Sequence, residues 1–113
     1  MSKECKSKGC KAPMPPGLTE EGLCLLHFTL HIEDECAAIR RETALGNTVH
    51  ERQVVLFRQI ADRGDILVSV ATSGFTMSDE MKARVLSTLL TLMNTRENMD
   101  RSAMRQSAMK RFA

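Results

Sequence analysis

The chain has 113 residues, which is enough for one domain with a modest core and excludes a large multidomain enzyme. Hydrophobic residues make up 42% and charged residues 27%, which is the composition of a folded globular protein rather than of a disordered chain. The sequence contains no Trp or Tyr and only four Phe, which argues against a platform of stacked aromatics for single-stranded nucleic acid.

The net charge of +2 is unevenly distributed. Residues 1–11 carry four lysines against one glutamate, residues 99–113 carry four basic side chains against one aspartate, and residues 12–52 are net acidic. A solvated surface with basic termini is the plainer interpretation. The alternative is that basic side chains at the two ends contact phosphates. The candidates for these contacts are Lys6, Lys8, Lys11, Arg101 and Arg105.

No apolar signal-peptide core follows Met1, and no apolar run approaches the length of a membrane span. We therefore expect a cytoplasmic protein that does not enter a membrane. In a reducing compartment, the four cysteines are expected to be metal ligands or buried small hydrophobes rather than disulfide partners.

The strongest pattern in the sequence is C-x4-C-x13-C-x2-H, formed by Cys5, Cys10, Cys24 and His27. Tetrahedral zinc takes four sulfur or nitrogen ligands, and Gly9 gives the first loop the freedom to turn two sulfurs inward. Cys24 and His27 are three residues apart, so they share one face of a helix. We predict that these residues bind one zinc ion, which is structural because four protein ligands leave no open position.

The segments KGCKAP and EGLCLLHF resemble a short treble-clef-like zinc motif over residues 5–28. In that motif, the positions of Cys5, Cys10, Cys24 and His27 bind one zinc, and the last two lie at the start of a helix. The loop of this chain is lengthened by three prolines and a glycine. Members of the family include nucleic-acid-associated and purely structural modules, so the resemblance implies a metal and does not identify a partner.

Further residues of the first predicted helix bear on this site. His31 lies on the same helical face as His27, so it is a plain polar surface residue, a residue supporting the ligands, or an alternative ligand, with Glu35 as acceptor for an imidazole N–H. The two histidines have HExxH spacing, but Phe28 replaces the general-base glutamate, so a zinc protease is not supported. Cys36 falls in the apolar stripe and is predicted to be a buried hydrophobe. The alternatives for the other cysteines are a metal-free, reduced terminus and a disulfide.

No proline follows residue 16, so long helices are permitted. Apolar periodicity predicts three of them, over residues 23–44, 48–72 and 78–109. Gly64 inside the second helix indicates either a close helix crossing or a local break. The predicted fold is all-α, with a treble-clef-like zinc-binding N-terminal loop leading into a three-helix hairpin or bundle.

Local signals set the predicted ends of these helices. Gly46 and Gly74 are expected to terminate the first and second helices. Thr48 is the predicted N-cap of the second helix, in a capping box with Glu51, and Ser78 is the predicted N-cap of the third.

The third helix has an apolar sector of nearly half its circumference, widened by Leu86, Leu90 and Met93. One neighbouring helix cannot cover such a sector. We expect these residues to form an association surface for a second copy or another protein. The alternative is that the three helices of one chain enclose the sector.

The predicted organisation is a zinc-binding motif over residues 1–28, packed as one unit with a helical domain over 23–109, followed by a tail over 110–113. The predicted function is a zinc-stabilised helical protein-interaction module that self-associates or acts as an adaptor. The alternative is a small nucleic-acid-binding regulator that uses the basic loop and tail. An enzyme is not expected, because the sequence has no phosphate-binding Gly-rich loop and no nucleophile elbow, and no small-molecule substrate is expected either.

Overall fold

The computed structural model describes residues 5–46 and 48–112, and side chains as far as Ser102. A short 3₁₀ turn, Pro16–Leu18, precedes three helices: α1 (Leu25–Thr43), α2 (His50–Thr72) and α3 (Asp79–Phe112). The described residues contain no β-strand. The prediction of an all-α fold with a cysteine-bearing N-terminal loop is confirmed.

The three helices run up, down and up, so that α1 and α3 are parallel neighbours. Leu25 and Met81, near the starts of these two helices, line the same small cavity. Near the other end of the pair, the Ser102 hydroxyl donates a hydrogen bond to the Thr43 carbonyl at 3.4 Å. α1 and α3 make the most extensive contact between elements, so this pair accounts for the largest share of the helix packing.

The core contains apolar side chains from all three helices and from the N-terminal loop (residues 5–24). Cys36 is 1% exposed, which confirms the prediction that it is a buried small hydrophobe. Burial raises the pKa of the Cys36 thiol, so this residue stays neutral in the core. The buried apolar residues besides Cys36 include Leu18, Leu23, Phe28, Ile32, Ile39, Leu56, Ile60, Leu67, Val70, Val85, Leu92 and Met99.

The backbone conformation shows where α1 begins and where α1 and α2 end. Cys24 has an extended backbone (φ −72°, ψ 168°) and is the N-cap of α1, so this helix begins two residues later than predicted. Gly46 and Gly74 have φ of +69° and +87°, the left-handed conformation that terminates helices, as predicted. α2 continues without interruption through Gly64, so of the two alternatives for this glycine the local break does not occur.

The starts of α2 and α3 differ in how they are capped. The predicted capping box at Thr48 is wrong, because Val49 is the N-cap of α2 and makes no side-chain capping bond. The Thr48 hydroxyl instead donates to the Glu42 carbonyl at 3.4 Å. The prediction for α3 is confirmed, since the Ser78 hydroxyl accepts a hydrogen bond from the Met81 N–H at 3.2 Å.

Candidate metal centre

The four predicted zinc ligands come from two parts of the N-terminal region. Cys5 and Cys10 lie in the loop, Cys24 is the N-cap of α1, and His27 lies in the first turn of that helix. One ligand atom from each of these residues lies within 4.8 Å of every other one. The predicted convergence of the four side chains is therefore confirmed.

The separations between the ligand atoms match the size of a small coordination sphere. The sulfurs of Cys10 and Cys24 are 3.9 Å apart. Nδ1 of His27 lies 3.3 Å from Sγ of Cys5 and 3.2 Å from Sγ of Cys24. In tetrahedral zinc sites, Zn–S bonds of about 2.3 Å and Zn–N bonds of about 2.0–2.1 Å place neighbouring ligand atoms about 3.5–3.8 Å apart. The cluster is therefore compatible with a metal ion that His27 contacts through Nδ1.

Backbone hydrogen bonds hold the first two cysteines in position. The Cys5 N–H donates to the Ala12 carbonyl at 3.2 Å, and the Lys6 N–H donates to the Gly22 carbonyl at 2.8 Å. These bonds join the start of the loop to its later part. Gly9, with φ of +81°, makes the turn between the two cysteines, as its position in the sequence predicted.

The rest of the loop is anchored in the core. Leu18 is fully buried, and Leu23 is 8% exposed immediately before the Cys24 N-cap. The 3₁₀ turn Pro16–Leu18 contacts α2, so the loop joins the start of α1 to the far end of α2. The ligand cluster consequently lies where the loop meets the helical bundle.

The surroundings of the cluster shift the pKa values of the Cys5 and Cys24 thiols in opposite directions. Burial raises the pKa of Cys5, but hydrogen bonds from the Cys24 and Ser7 backbones, and from their side chains, outweigh it and lower this pKa to about 6. Burial, and the neighbouring thiols of Cys5 and Cys10, raise the pKa of Cys24, against a lowering by the His27 backbone N–H. Cys5 therefore has thiolate character near neutral pH, which is the form that binds metals.

His31, the predicted alternative ligand, lies outside the cluster of four. Nε2 of His31 is 3.2 Å from Oε1 of Glu35, and the His31 side chain is half exposed. The predicted pairing of an imidazole with Glu35 is therefore present, but the imidazole belongs to His31 and not to a residue of the cluster.

Arg63, a half-buried residue that the sequence reasoning missed, links the loop to α1 and α2. The Arg63 guanidinium on α2 lies 3.0 Å from Glu35 of α1 and 3.6 Å from Glu21 of the loop. The Gln59 amide donates to the second oxygen of Glu35. Arg63 and Glu35 are 28 positions apart, and no local spacing signals such a pair.

The predicted phosphate contacts are distributed over both ends of the bundle. Lys6, Lys8 and Lys11 are exposed on the loop that carries the cluster, and Arg101 is exposed near the end of α3. The helix rise places Arg101 about 30 Å along α3 from the end that holds the loop. The side chain of Arg105 lies outside the described residues.

The predicted association residues are exposed on α3. Leu86, Leu90 and Met93 have exposed fractions of 63%, 57% and 64%. The helices α1 and α2 therefore leave this part of the apolar sector uncovered, and the alternative in which one chain encloses it is not what the structure shows.

The chain matches no protein-family profile, no curated protein and no solved structure. The four-ligand cluster and the fold around it are consequently the basis for assigning a function. Among the residues that the structure describes, no helix combines the length and the apolar character that crossing a bilayer requires.

Proposed function

We propose that this chain is a zinc-stabilised helical protein-interaction module. The observation that carries the proposal is the convergence of Cys5, Cys10, Cys24 and His27 within 4.8 Å of one another. Three sulfurs and one imidazole nitrogen form a donor set typical of structural zinc. Because these four ligands complete a tetrahedral shell, they leave no position for a substrate or an activated water, and the proposed role is not catalytic.

Zinc in this cluster would connect the N-terminal loop to the start of α1. Cys5 and Cys10 come from a loop with little regular structure, whereas Cys24 and His27 belong to the start of α1. Zinc binding of this kind contributes directly to the folding free energy, by about 10 kcal/mol or more in zinc-finger peptides. We infer that the ion fixes the loop against the bundle and that the helices supply the binding surface.

Leu86, Leu90 and Met93 support the association part of the proposal. They are three large apolar side chains on one side of α3, and each is more than half exposed. Contiguous apolar surface of this kind mediates contacts between proteins more often than single exposed apolar residues do. The partner is either a second copy or a different protein for which this chain is an adaptor.

The nucleic-acid alternative has weaker support because its basic residues lie far apart. The lysines at positions 6, 8 and 11 and the arginine at 101 occupy opposite ends of the bundle, so a phosphate footprint that used both groups would have to span about 30 Å. Phosphate contacts are strongest at low salt, so binding to DNA and RNA at about 50 mM salt would reveal this function. Absence of binding under those conditions would remove it. For either function we propose a cytoplasmic location, where the thiols stay reduced.

Measurement of bound zinc in matched cysteine variants tests the proposal. Cys10→Ala removes the ligand cysteine that is partly exposed, and Cys36→Ala removes a cysteine of the core as the control. We expect one zinc per chain in the wild type and in the control. A competing chelator should remove zinc from Cys10→Ala at concentrations that leave the control loaded, with helicity followed by circular dichroism. Zinc-free wild type, or equal zinc retention in both variants, would refute the proposal.

A further inference from the structure

The exposed apolar residues of α3 lie beside a groove that extends their surface. The groove has a volume of about 400 Å³ and runs between α2 and α3. Its walls include Val68, which is 47% exposed, and Met93, which is 64% exposed. The opposite side of α3 packs inside the chain through Val85, Leu92 and Met99. This helix therefore has two apolar faces, of which one is uncovered.

Charged side chains bracket the uncovered face. Lys82 lies one turn before Leu86, and Glu97 lies one turn after Met93, and both charged residues are exposed. At about 100° per residue, positions 82, 86, 90, 93 and 97 fall within about 80° of the helix circumference. We call this set of five residues the α3 stripe, and the helix rise makes it about 22 Å long.

The α3 stripe has a symmetric arrangement about its centre. Leu86 and Met93 are equally far from the midpoint between residues 89 and 90, and Lys82 and Glu97 are equally far from the same midpoint. When two copies of such a helix pair antiparallel about that midpoint, residue 86 meets residue 93, and residue 82 meets residue 97. Within the α3 stripe, each apolar side chain then meets an apolar one, and each charge meets its opposite. Asp79 and Asp100 lie in the same sector one turn beyond the two ends of the stripe and would meet each other, so the opposite charges are the pairs nearer the axis.

We propose that the partner of the α3 stripe is a second copy of this chain, bound antiparallel about a two-fold axis between residues 89 and 90. The inference rests on the association part of the proposed function and commits it to a homodimer. In a two-fold interface the same patch must be complementary to itself. Lys82 of each copy faces Glu97 of the other, so two identical ion pairs flank the apolar contact. Leu90 of the two copies meets next to the axis.

The apolar contact and the ion pairs have different roles in this dimer. Burial of Leu86, Leu90 and Met93 supplies the driving force for association. The ion pairs at the rim contribute less to affinity, but they select the antiparallel orientation. A parallel pairing would place Lys82 against Lys82 and Glu97 against Glu97 of the second copy, which repel each other.

Sedimentation equilibrium of the zinc-loaded full chain tests the proposal. We expect the wild type to be a dimer that dissociates on dilution. Leu90→Glu places two like charges next to the axis and should give a monomer, while the helix tolerates glutamate well. Leu45→Glu is the control, since Leu45 is 84% exposed in the turn after α1 and lies outside the α3 stripe. The control variant should dimerise like the wild type.

A charge-swap series tests the orientation. Lys82→Glu and Glu97→Lys each create two repulsive pairs in the antiparallel dimer, and each should weaken it by about tenfold or more. The double variant Lys82→Glu/Glu97→Lys restores both pairs and should recover wild-type affinity. In a parallel dimer, residue 82 faces residue 82 and residue 97 faces residue 97, so these contacts stay between like charges in every variant. The affinity of a parallel dimer would therefore not follow this series.

The outcomes separate this inference from the proposed function. A wild type that stays monomeric at high concentration with one bound zinc overturns the homodimer and leaves the zinc-stabilised module standing. The proposed interface is overturned if Leu90→Glu still forms a dimer, or if the charge swaps leave the dimer affinity unchanged. Protein that binds no zinc overturns the module whatever its mass in solution.

Discussion

Gly17 of the N-terminal loop lies directly against Val70 of α2. A methyl group added at Gly17 would lie 2.8 Å from Cγ2 of Val70, which is shorter than side chains in contact tolerate. Val70 is 1% exposed and held by the surrounding core, so it has little room to move away. This close approach sets how the loop that carries Cys5 and Cys10 docks on the helices.

The Gly17–Val70 contact predicts that Gly17→Ala destabilises the protein. Overpacking of this kind costs about 1–3 kcal/mol in free energy of unfolding. Urea denaturation of zinc-loaded protein measures the change. If Gly17→Ala unfolds at the wild-type urea concentration, the loop does not dock against α2 as described.

Gly64→Ala is the matched comparison and should have the opposite effect. Gly64 lies inside α2, and a methyl group there would be 3.9 Å from Cδ1 of Leu92, an ordinary van der Waals distance. Because glycine costs about 1 kcal/mol relative to alanine in a helix interior, we expect a gain of about that size in the same urea experiment. A loss of stability would show that α2 is not a regular helix at this position.

The Arg63–Glu35 pair should couple the two helices energetically. Its Nε–Oε1 distance is 3.0 Å, and the two side chains are 21% and 16% exposed, which shields them from water more than a surface pair. We expect Arg63→Ala to cost about 1–2 kcal/mol in free energy of unfolding. A double-mutant cycle with Glu35→Ala should give a coupling of about 0.5–2 kcal/mol. Strictly additive effects would show that the two side chains do not interact.

Zinc affinity should fall as the pH is lowered. A bound zinc ion takes the three cysteine side chains as thiolates, and protons compete for them. The pKa of Cys5 is lowered to about 6, so this thiol binds a proton tightly only below that pH. Burial raises the pKa of Cys24, so this thiol holds its proton at neutral pH and must release it when zinc binds. Competition titrations between pH 8 and pH 5 should show affinity decreasing steadily with acidification, whereas pH-independent affinity would exclude thiolate ligands.

Local sequence signals were sufficient for the helices and for the convergence of the four candidate ligands. The spacing predicts the cluster because its members form two local pairs. Cys5 and Cys10 are close in sequence, and Cys24 and His27 lie within one helical turn. Ser78 and the two terminating glycines are equally local. The prediction of a capping box at Thr48 was wrong because the Thr48 hydroxyl donates to the Glu42 carbonyl instead of capping α2.

Contacts between distant segments were beyond the reach of these signals. The Arg63 network depends on how α1 and α2 are aligned, which no residue type specifies. His31 was a candidate ligand because it shares a helical face with His27, but one further turn of helix carries it to Glu35 and away from the cluster. Gly17 carries no sequence signal for its contact with a valine on another helix.

X-ray absorption at the zinc edge of the purified protein identifies the atoms bound to the metal, so it tests the proposed zinc site itself. We expect one zinc per chain with three sulfurs at about 2.3 Å and one nitrogen at about 2.0–2.1 Å. A first shell made only of oxygen and nitrogen, or a sulfur count that stays at three in Cys10→Ala, would contradict it.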